Sequence, residues 1–180
     1  HRGASGAYPK NTMLAFAKAR EAGAWRGWKF AGETLPLLED LLHWQADTGM
    51  RFNLEMKCHG ARQGEAASAL AAQLAGVQPG LNMVSSFDAA FLVALQTTLP
   101  AMPRALISEE LPENWQELAA KLGLEALHLD KDIVTPRMLE AIHSTGFRVR
   151  VWTVNEPADM KRMIDAGIDT VVTDVPEAFL

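Results

Sequence analysis

The chain has 180 residues, 48% of them hydrophobic and 22% charged, with a formal net charge of −5 and one cysteine. This composition is typical of a single globular domain with its own core, so we predict one domain over residues 1–180. The negative charge argues against nucleic acid and anionic membrane surfaces as partners. One cysteine excludes an internal disulfide, and no run reaches the roughly 18 apolar residues of a membrane span. We therefore expect a cytoplasmic protein without an integral membrane segment, while its oligomeric state stays open.

Helical and strand patterns follow each other along the chain. Met13–Ala22 predicts a helix that ends at Gly23, and from Arg51 onward β-rich segments alternate with amphipathic ones. The predicted strands are Arg51–Lys57, Asn82–Phe87, Arg104–Ser108, Ala126–Asp130, Arg148–Val154 and Thr170–Thr173. The predicted helices between them are Ala66–Leu74, Ala89–Thr97, Trp115–Leu122, Pro136–Ser144 and Pro157–Ala166. Such parallel βα units favour either a doubly wound sheet or a closed barrel.

Capping signals mark the last two helices. Thr135 precedes Pro136, and Asn155 stands just ahead of the next helix, so both side chains are predicted helix caps. Gly146 and Gly167 are predicted to close the two helices.

The strand Arg51–Lys57 has an unusual polar face. Its residues alternate, so Glu55 and Lys57 share one side at the carboxyl end, where parallel strands are usually apolar. Glu55 offers oxygen ligands for Mg²⁺ or Ca²⁺, and Lys57 can balance phosphate charge. The alternative interpretation is a buried ion pair.

The start of the chain carries a second candidate site. His1 and Arg2 precede a glycine, and an imidazole beside a guanidinium can protonate and bind a phosphate ester, although the pair also arises by chance.

Two later strands carry ring side chains with ambiguous roles. Trp152 is predicted near the rim of a barrel, where an indole can pack against a glycerol or alcohol group, but it fits a core position as well. His128 and Asp130 share one strand face, and we interpret His128 as a structural histidine with satisfied hydrogen bonds.

Taken in order, these motifs resemble the glycerophosphodiester phosphodiesterase family, with its HRG…PENT opening, ExK, SSF and VWTVN strands and closing G-D-TD-P segment. The matching residues here are His1-Arg2-Gly3 with Pro9-Lys10-Asn11-Thr12, Gly32–Glu39, Glu55-Met56-Lys57, Ser85-Ser86-Phe87, Val151–Asn155, and Gly167-Ile168-Asp169 with Thr173–Pro176.

The resemblance implies a TIM (β/α)8 barrel that hydrolyses glycerophosphodiesters to glycerol 3-phosphate and an alcohol, within lipid and glycerol metabolism. It also implies a divalent metal, Mg²⁺ or Ca²⁺, and a histidine acid/base pair. His1 and Arg2 are then catalytic, Arg2, Lys57 and Trp152 contact the substrate, and Glu55 is one metal ligand.

The chain departs from the family pattern in two places. Between the positions of Ala24 and Trp25 the family carries an ExD metal pair and a His-Asp pair, and neither occurs here. An eight-stranded barrel needs about 200 to 250 residues, so we expect the first strand and the strand pair between Ala24 and Trp25, about 45 residues, to be missing from this sequence. The expected activity is conditional on that segment existing in the protein. Lys10 stands where the family usually has glutamate.

Two alternatives to this activity stay open. One is an inactive barrel that binds a phosphate ligand or a partner. The other is a related phosphodiesterase that acts on lysophospholipids.

Overall fold

The computed structural model describes residues 37–58 and 62–179. The predicted helix Met13–Ala22, the candidate residues His1 and Arg2, and the Ala24–Trp25 junction lie outside these ranges. Within them, none of the helices has the length and apolar character needed to cross a bilayer.

Helices and strands alternate through the described residues. The helices are α1 (Leu38–Thr48), α2 (Gln63–Gln73), α3 (Ala89–Thr98), α4 (Trp115–Leu122), α5 (Pro136–His143) and α6 (Pro157–Asp165). The strands are β1 (Phe52–Glu55), β2 (Asn82–Ser86), β3 (Arg104–Ser108), β4 (Ala126–Asp130), β5 (Arg148–Trp152) and β6 (Thr170–Val171). Short 3-10 turns lie at Pro79–Leu81 and Pro176–Ala178. The predicted strands are therefore confirmed in place, but β1, β2, β5 and β6 end earlier than predicted, and β1 begins one residue later.

The six strands form one parallel sheet in the order β1-β2-β3-β4-β5-β6. A doubly wound sheet reverses its strand order at a switch point, whereas strands in a barrel follow the chain from neighbour to neighbour. The described residues thus form a parallel α/β half-barrel, which decides between the two architectures that periodicity left open.

The apolar core lies between the sheet and the helices. Alternate strand residues point toward it, because successive side chains of a strand face opposite sides. Its strand members include Val84, Leu106, Leu127, Leu129, Val149 and Val151, and its helix members include Phe91, Leu92, Leu95, Leu139 and Ile142. Full burial of one such side chain contributes about 1.5–3 kcal/mol to stability. Burial therefore determines which face of each strand lies under the helices, and the other face becomes the inner side of the sheet.

The predicted caps are confirmed in part. The Thr135 hydroxyl accepts a hydrogen bond from the Met138 amide at 3.2 Å, and Gly146 and Gly167 adopt φ values of 84° and 82°. The prediction for Asn155 is wrong. Glu156 occupies the N-cap position of α6 without a side-chain cap, while the Asn155 amide bonds to the chain that follows β6.

Candidate active site at the carboxyl edge of the sheet

The carboxyl ends of parallel strands lie at one edge of the sheet, which is where barrel enzymes place their sites. Glu55, Asp130 and Trp152 are the last residues of their strands, and Asp130 pairs in register with Trp152. Three of the sequence-predicted polar or aromatic positions therefore belong to the same edge.

Glu55 and Lys57 form the charged part of this edge. The Lys57 ammonium lies 3.3 Å from Oε1 of Glu55, and the side chains of Lys57 and Glu55 are 35% and 19% exposed, respectively. Oε1 of Glu55 is buried and accepts no hydrogen bond within the described residues, since the ammonium is close but outside hydrogen-bond geometry. The two side chains do point the same way, as predicted, and the carboxylate keeps an oxygen that a further cation or donor can approach.

The neighbouring polar residues of β1 and β2 are occupied by structural contacts. Asn53 donates to the Ser85 hydroxyl at 2.9 Å, and the Ser86 hydroxyl donates to the Met56 carbonyl at 2.7 Å. Asp88 caps α3 by accepting from the amides of Ala90 and Phe91. Hydrogen bonds between β1 and β2 and the capping of α3 therefore account for these side chains, which leaves Glu55 and Lys57 as the candidate pair for binding or chemistry.

An aromatic wall stands on the same edge. The rings of Trp152 and Phe87 meet edge to face with centroids 5.7 Å apart, and Phe87 remains 46% exposed. The Trp152 indole N–H donates to the His128 carbonyl at 3.3 Å, which fixes the ring at the end of β5. The sequence motifs give Phe87 no role of its own, although an aromatic residue directly after a strand is the signal that could have found it.

Asn155 joins the loops that follow β5 and β6. Its side-chain oxygen accepts from the Thr173 hydroxyl at 3.1 Å and from the Asp174 amide at 2.9 Å. Its amide nitrogen donates to the Asp174 carboxylate at 3.1 Å. One amide thus holds two adjacent rim loops together.

Glu55 fits a divalent cation as one ligand, because a carboxylate with a free buried oxygen is a hard donor. The described part of the chain contains no group of three His, Cys, Asp or Glu side chains able to hold a metal ion. Within residues 37–58 and 62–179, Glu55 therefore does not belong to a complete set of ligands, and a cation bound there would need further donors.

The half-barrel with polar side chains at its carboxyl edge has the arrangement of a (β/α) barrel domain, a class in which enzymes place their sites at that edge. The Glycerophosphoryl diester phosphodiesterase family matches the chain over residues 22–178. The chain belongs to this family, and so to the phosphodiesterase enzymes.

Two bacterial relatives are similar to this chain over most of its length. The chain is 27% identical to the Bacillus subtilis protein YqiK, described as uncharacterized, over 228 residues, covering 98% of this chain and 94% of the relative. It is also 27% identical to the glycerophosphodiester phosphodiesterase of Caldanaerobacter subterraneus over 192 residues, covering 96% and 72%. The first alignment is longer than this chain of 180 residues, so YqiK contains residues without a counterpart here.

Solved structures share the fold. A phosphodiesterase from Oleispira antarctica, in complex with the product sn-glycerol-3-phosphate, superimposes with a TM-score of 0.82 at 25% identity, covering 90% of this chain and 67% of that one. A glycerophosphoryl diester phosphodiesterase structure from Silicibacter pomeroyi gives 0.74 at 28% identity, covering 81% and 55%. This chain therefore spans about half to two thirds of these structures.

Proposed function

We propose that the protein hydrolyses glycerophosphodiesters to glycerol 3-phosphate and an alcohol at the carboxyl edge of its sheet. The observation that carries the proposal is the Glu55–Lys57 pair, which holds a carboxylate and an ammonium 3.3 Å apart at the end of β1. Family membership supports the reaction class, and the Oleispira antarctica complex supports glycerol 3-phosphate as the product.

Each charged group has a distinct proposed role. Lys57 is partly exposed and can move from Glu55 to a phosphate oxygen, where its positive charge offsets the charge that develops in the transition state. Glu55 then has an oxygen free to bind a divalent cation, Mg²⁺ or Ca²⁺, which as a Lewis acid would polarise the phosphoryl group when bound. His1 as proton donor or acceptor and Arg2 as phosphate ligand remain proposals from the sequence, because both lie outside the described residues.

The aromatic wall is proposed to contact the carbon skeleton of the substrate. Phe87 presents nearly half of its surface at the rim, and Trp152 supports it edge to face. An exposed ring at such an edge gains by covering the apolar face of a glycerol or alcohol group.

Trp152→Ala tests this assignment. We expect KM for glycerophosphocholine to rise about tenfold with a smaller change in kcat, because an edge-to-face pair and its buried area contribute roughly 1–2 kcal/mol. Trp115→Ala is the matched control, since Trp115 meets Phe147 in the same geometry at 5.7 Å. The control should lose stability and keep KM, and equal KM values for both variants would contradict the assignment.

Substrate class is tested by comparing two diesters. Steady-state release of glycerol 3-phosphate from glycerophosphocholine is expected to exceed hydrolysis of lysophosphatidylcholine, because the described rim offers one small aromatic wall for an alcohol group. Faster turnover of the lysophospholipid would favour the lipid-directed alternative instead.

A further inference from the structure

The inner face of the sheet, opposite the helices, carries two basic side chains below the rim. Leu127 and Leu129 of β4 belong to the core under the helices, so His128 between them faces the inner side. The same alternation on β5 turns Arg150 to the inner side, because Val149 and Val151 are core residues. His128 and Arg150 are paired in register across the two strands, two residues before the rim pair of Asp130 and Trp152.

His128 is buried without the partner that a structural histidine should have. It is 3% exposed, and Nε2 of its ring has no hydrogen-bond partner among the described residues. Buried polar atoms are rarely left unpaired, because desolvation of such an atom is costly. The interpretation of His128 as a satisfied structural histidine is therefore wrong at this atom, and the ring has a donor or acceptor position to offer.

Arg150 presents an unneutralised charge beside this ring. It is half-buried, and its guanidinium forms no hydrogen bond or ion pair in the described part of the chain. Burial, and then repulsion from Arg148 on the same face, lower its pKa. Burial, followed by the Arg150 charge, lowers the pKa of His128 to about 3. Both side chains thus lie in a positive field, and a negative group would relieve it.

Two alanines and one isoleucine border this pair. Ile107, which is buried and outside the core cluster, is the register partner of His128 on β3. Ala105 and Ala126 are buried but stand outside the core cluster, which places them on the inner face with His128. Ala126 is paired with Arg148, and Ala105 with Ala126. Two adjacent alanines leave more room on this face than the branched residues that usually fill a barrel interior.

We propose that His128 and Arg150 form a binding site for a small oxyanion on the inner face, separate from Glu55 and Lys57 at the rim. A guanidinium donates two parallel N–H groups to phosphate or carboxylate oxygens, and the imidazole N–H adds a third donor. The site lies about 6–7 Å below the rim along the strands. It does not depend on the proposed hydrolysis.

The test is anion-dependent thermal stability, measured in chloride buffer at constant ionic strength with inorganic phosphate or acetate as the probe. The wild-type protein is expected to show saturable stabilisation, stronger for phosphate if the site takes tetrahedral anions and stronger for acetate if it takes carboxylates. Arg150→Met and His128→Leu should each raise the half-saturating concentration about tenfold or more. His128→Leu should also melt higher than the wild type without added anion, because it removes an unpaired buried nitrogen.

Two controls separate this site from the rim and from general charge effects. Lys57→Met removes the rim ammonium, which can itself contact phosphate, and should keep the part of the stabilisation that Arg150→Met and His128→Leu remove. Arg137→Met makes the same change on the exposed surface of α5 and should keep all of it. The proposal is overturned if Arg150→Met and His128→Leu respond like the wild type, or if Lys57→Met alone abolishes the effect. If the protein does not hydrolyse glycerophosphodiesters but still shows anion binding that depends on Arg150, the proposed function is contradicted and the anion site is supported.

Discussion

Arg104→Ala is expected to lower the free energy of unfolding by about 3–5 kcal/mol, the range for removing a buried charged group from a hydrogen-bonded network. Arg104 is 5% exposed at the start of β3. Its guanidinium donates to five backbone carbonyls, those of Leu99, Pro100, Met102, Leu122 and Gly123. Without it, these carbonyls lose the guanidinium as a donor, and a cavity is left.

The carbonyls explain why a charged side chain is stable there. Several belong to the C-terminal ends of α3 and α4, where the helix dipole presents partial negative charge. Gly123 ends α4 with a φ of 58° and lies next to the guanidinium. A Cβ at this position would lie 2.8 Å from Nη2 of Arg104. Arg104 therefore joins two helix ends to the sheet through its fork of donors.

Chemical denaturation with a matched series measures this effect. Arg104→Lys keeps the charge but replaces a planar fork by one ammonium, so an intermediate loss is expected. Arg137→Ala, on the exposed face of α5, should change stability by no more than about 0.5 kcal/mol. Equal midpoints for Arg104→Ala and Arg137→Ala would show that the hydrogen bonds from Arg104 to these carbonyls do not stabilise the fold.

Lys57→Met is the change with the largest expected effect on activity. We expect kcat/KM for glycerophosphocholine to fall about 10²- to 10³-fold, the usual loss when one group that stabilises transition-state charge is removed. The side chain is 35% exposed, and its removal leaves Glu55 with a buried oxygen and without its ammonium partner, so some loss of stability accompanies the change.

A second lysine that forms an ion pair with a carboxylate supplies the control for Lys57→Met. Lys161 on α6 contacts Asp165 at 2.6 Å and is 77% exposed, so Lys161→Met removes an ion pair away from the rim. It should leave kcat/KM unchanged. Circular dichroism checks that Lys57→Met is folded. If the folded variant keeps its kcat/KM, the Glu55–Lys57 contact is a structural ion pair, which is the alternative interpretation of these two residues.

Features that depend on local spacing are the ones that the sequence predicts best. Alternation along β1 placed Glu55 and Lys57 on one side, and the Thr135 cap follows from three neighbouring residues. Family motifs added the barrel class, which periodicity alone did not separate from a doubly wound sheet.

Contacts between distant strands were the part that sequence did not predict. Asn155 has the residue type and the sequence position of a helix cap, but its hydrogen-bond partners, Thr173 and Asp174, lie beyond α6. The edge-to-face packing of Phe87 on Trp152 likewise depends on how β2 and β5 are placed in the sheet. The isolated ring nitrogen of His128 depends on strand register, which sequence periodicity does not specify.

The most direct test of the proposed activity is glycerol 3-phosphate release from glycerophosphocholine by the 180-residue protein, before and after removal of divalent cations. We predict that release stops on chelation and returns when Mg²⁺ or Ca²⁺ is added. We also predict that Glu55→Gln abolishes release. No release with either cation present would contradict the proposed hydrolysis and favour the alternative of an inactive barrel that binds a phosphate ligand or a partner.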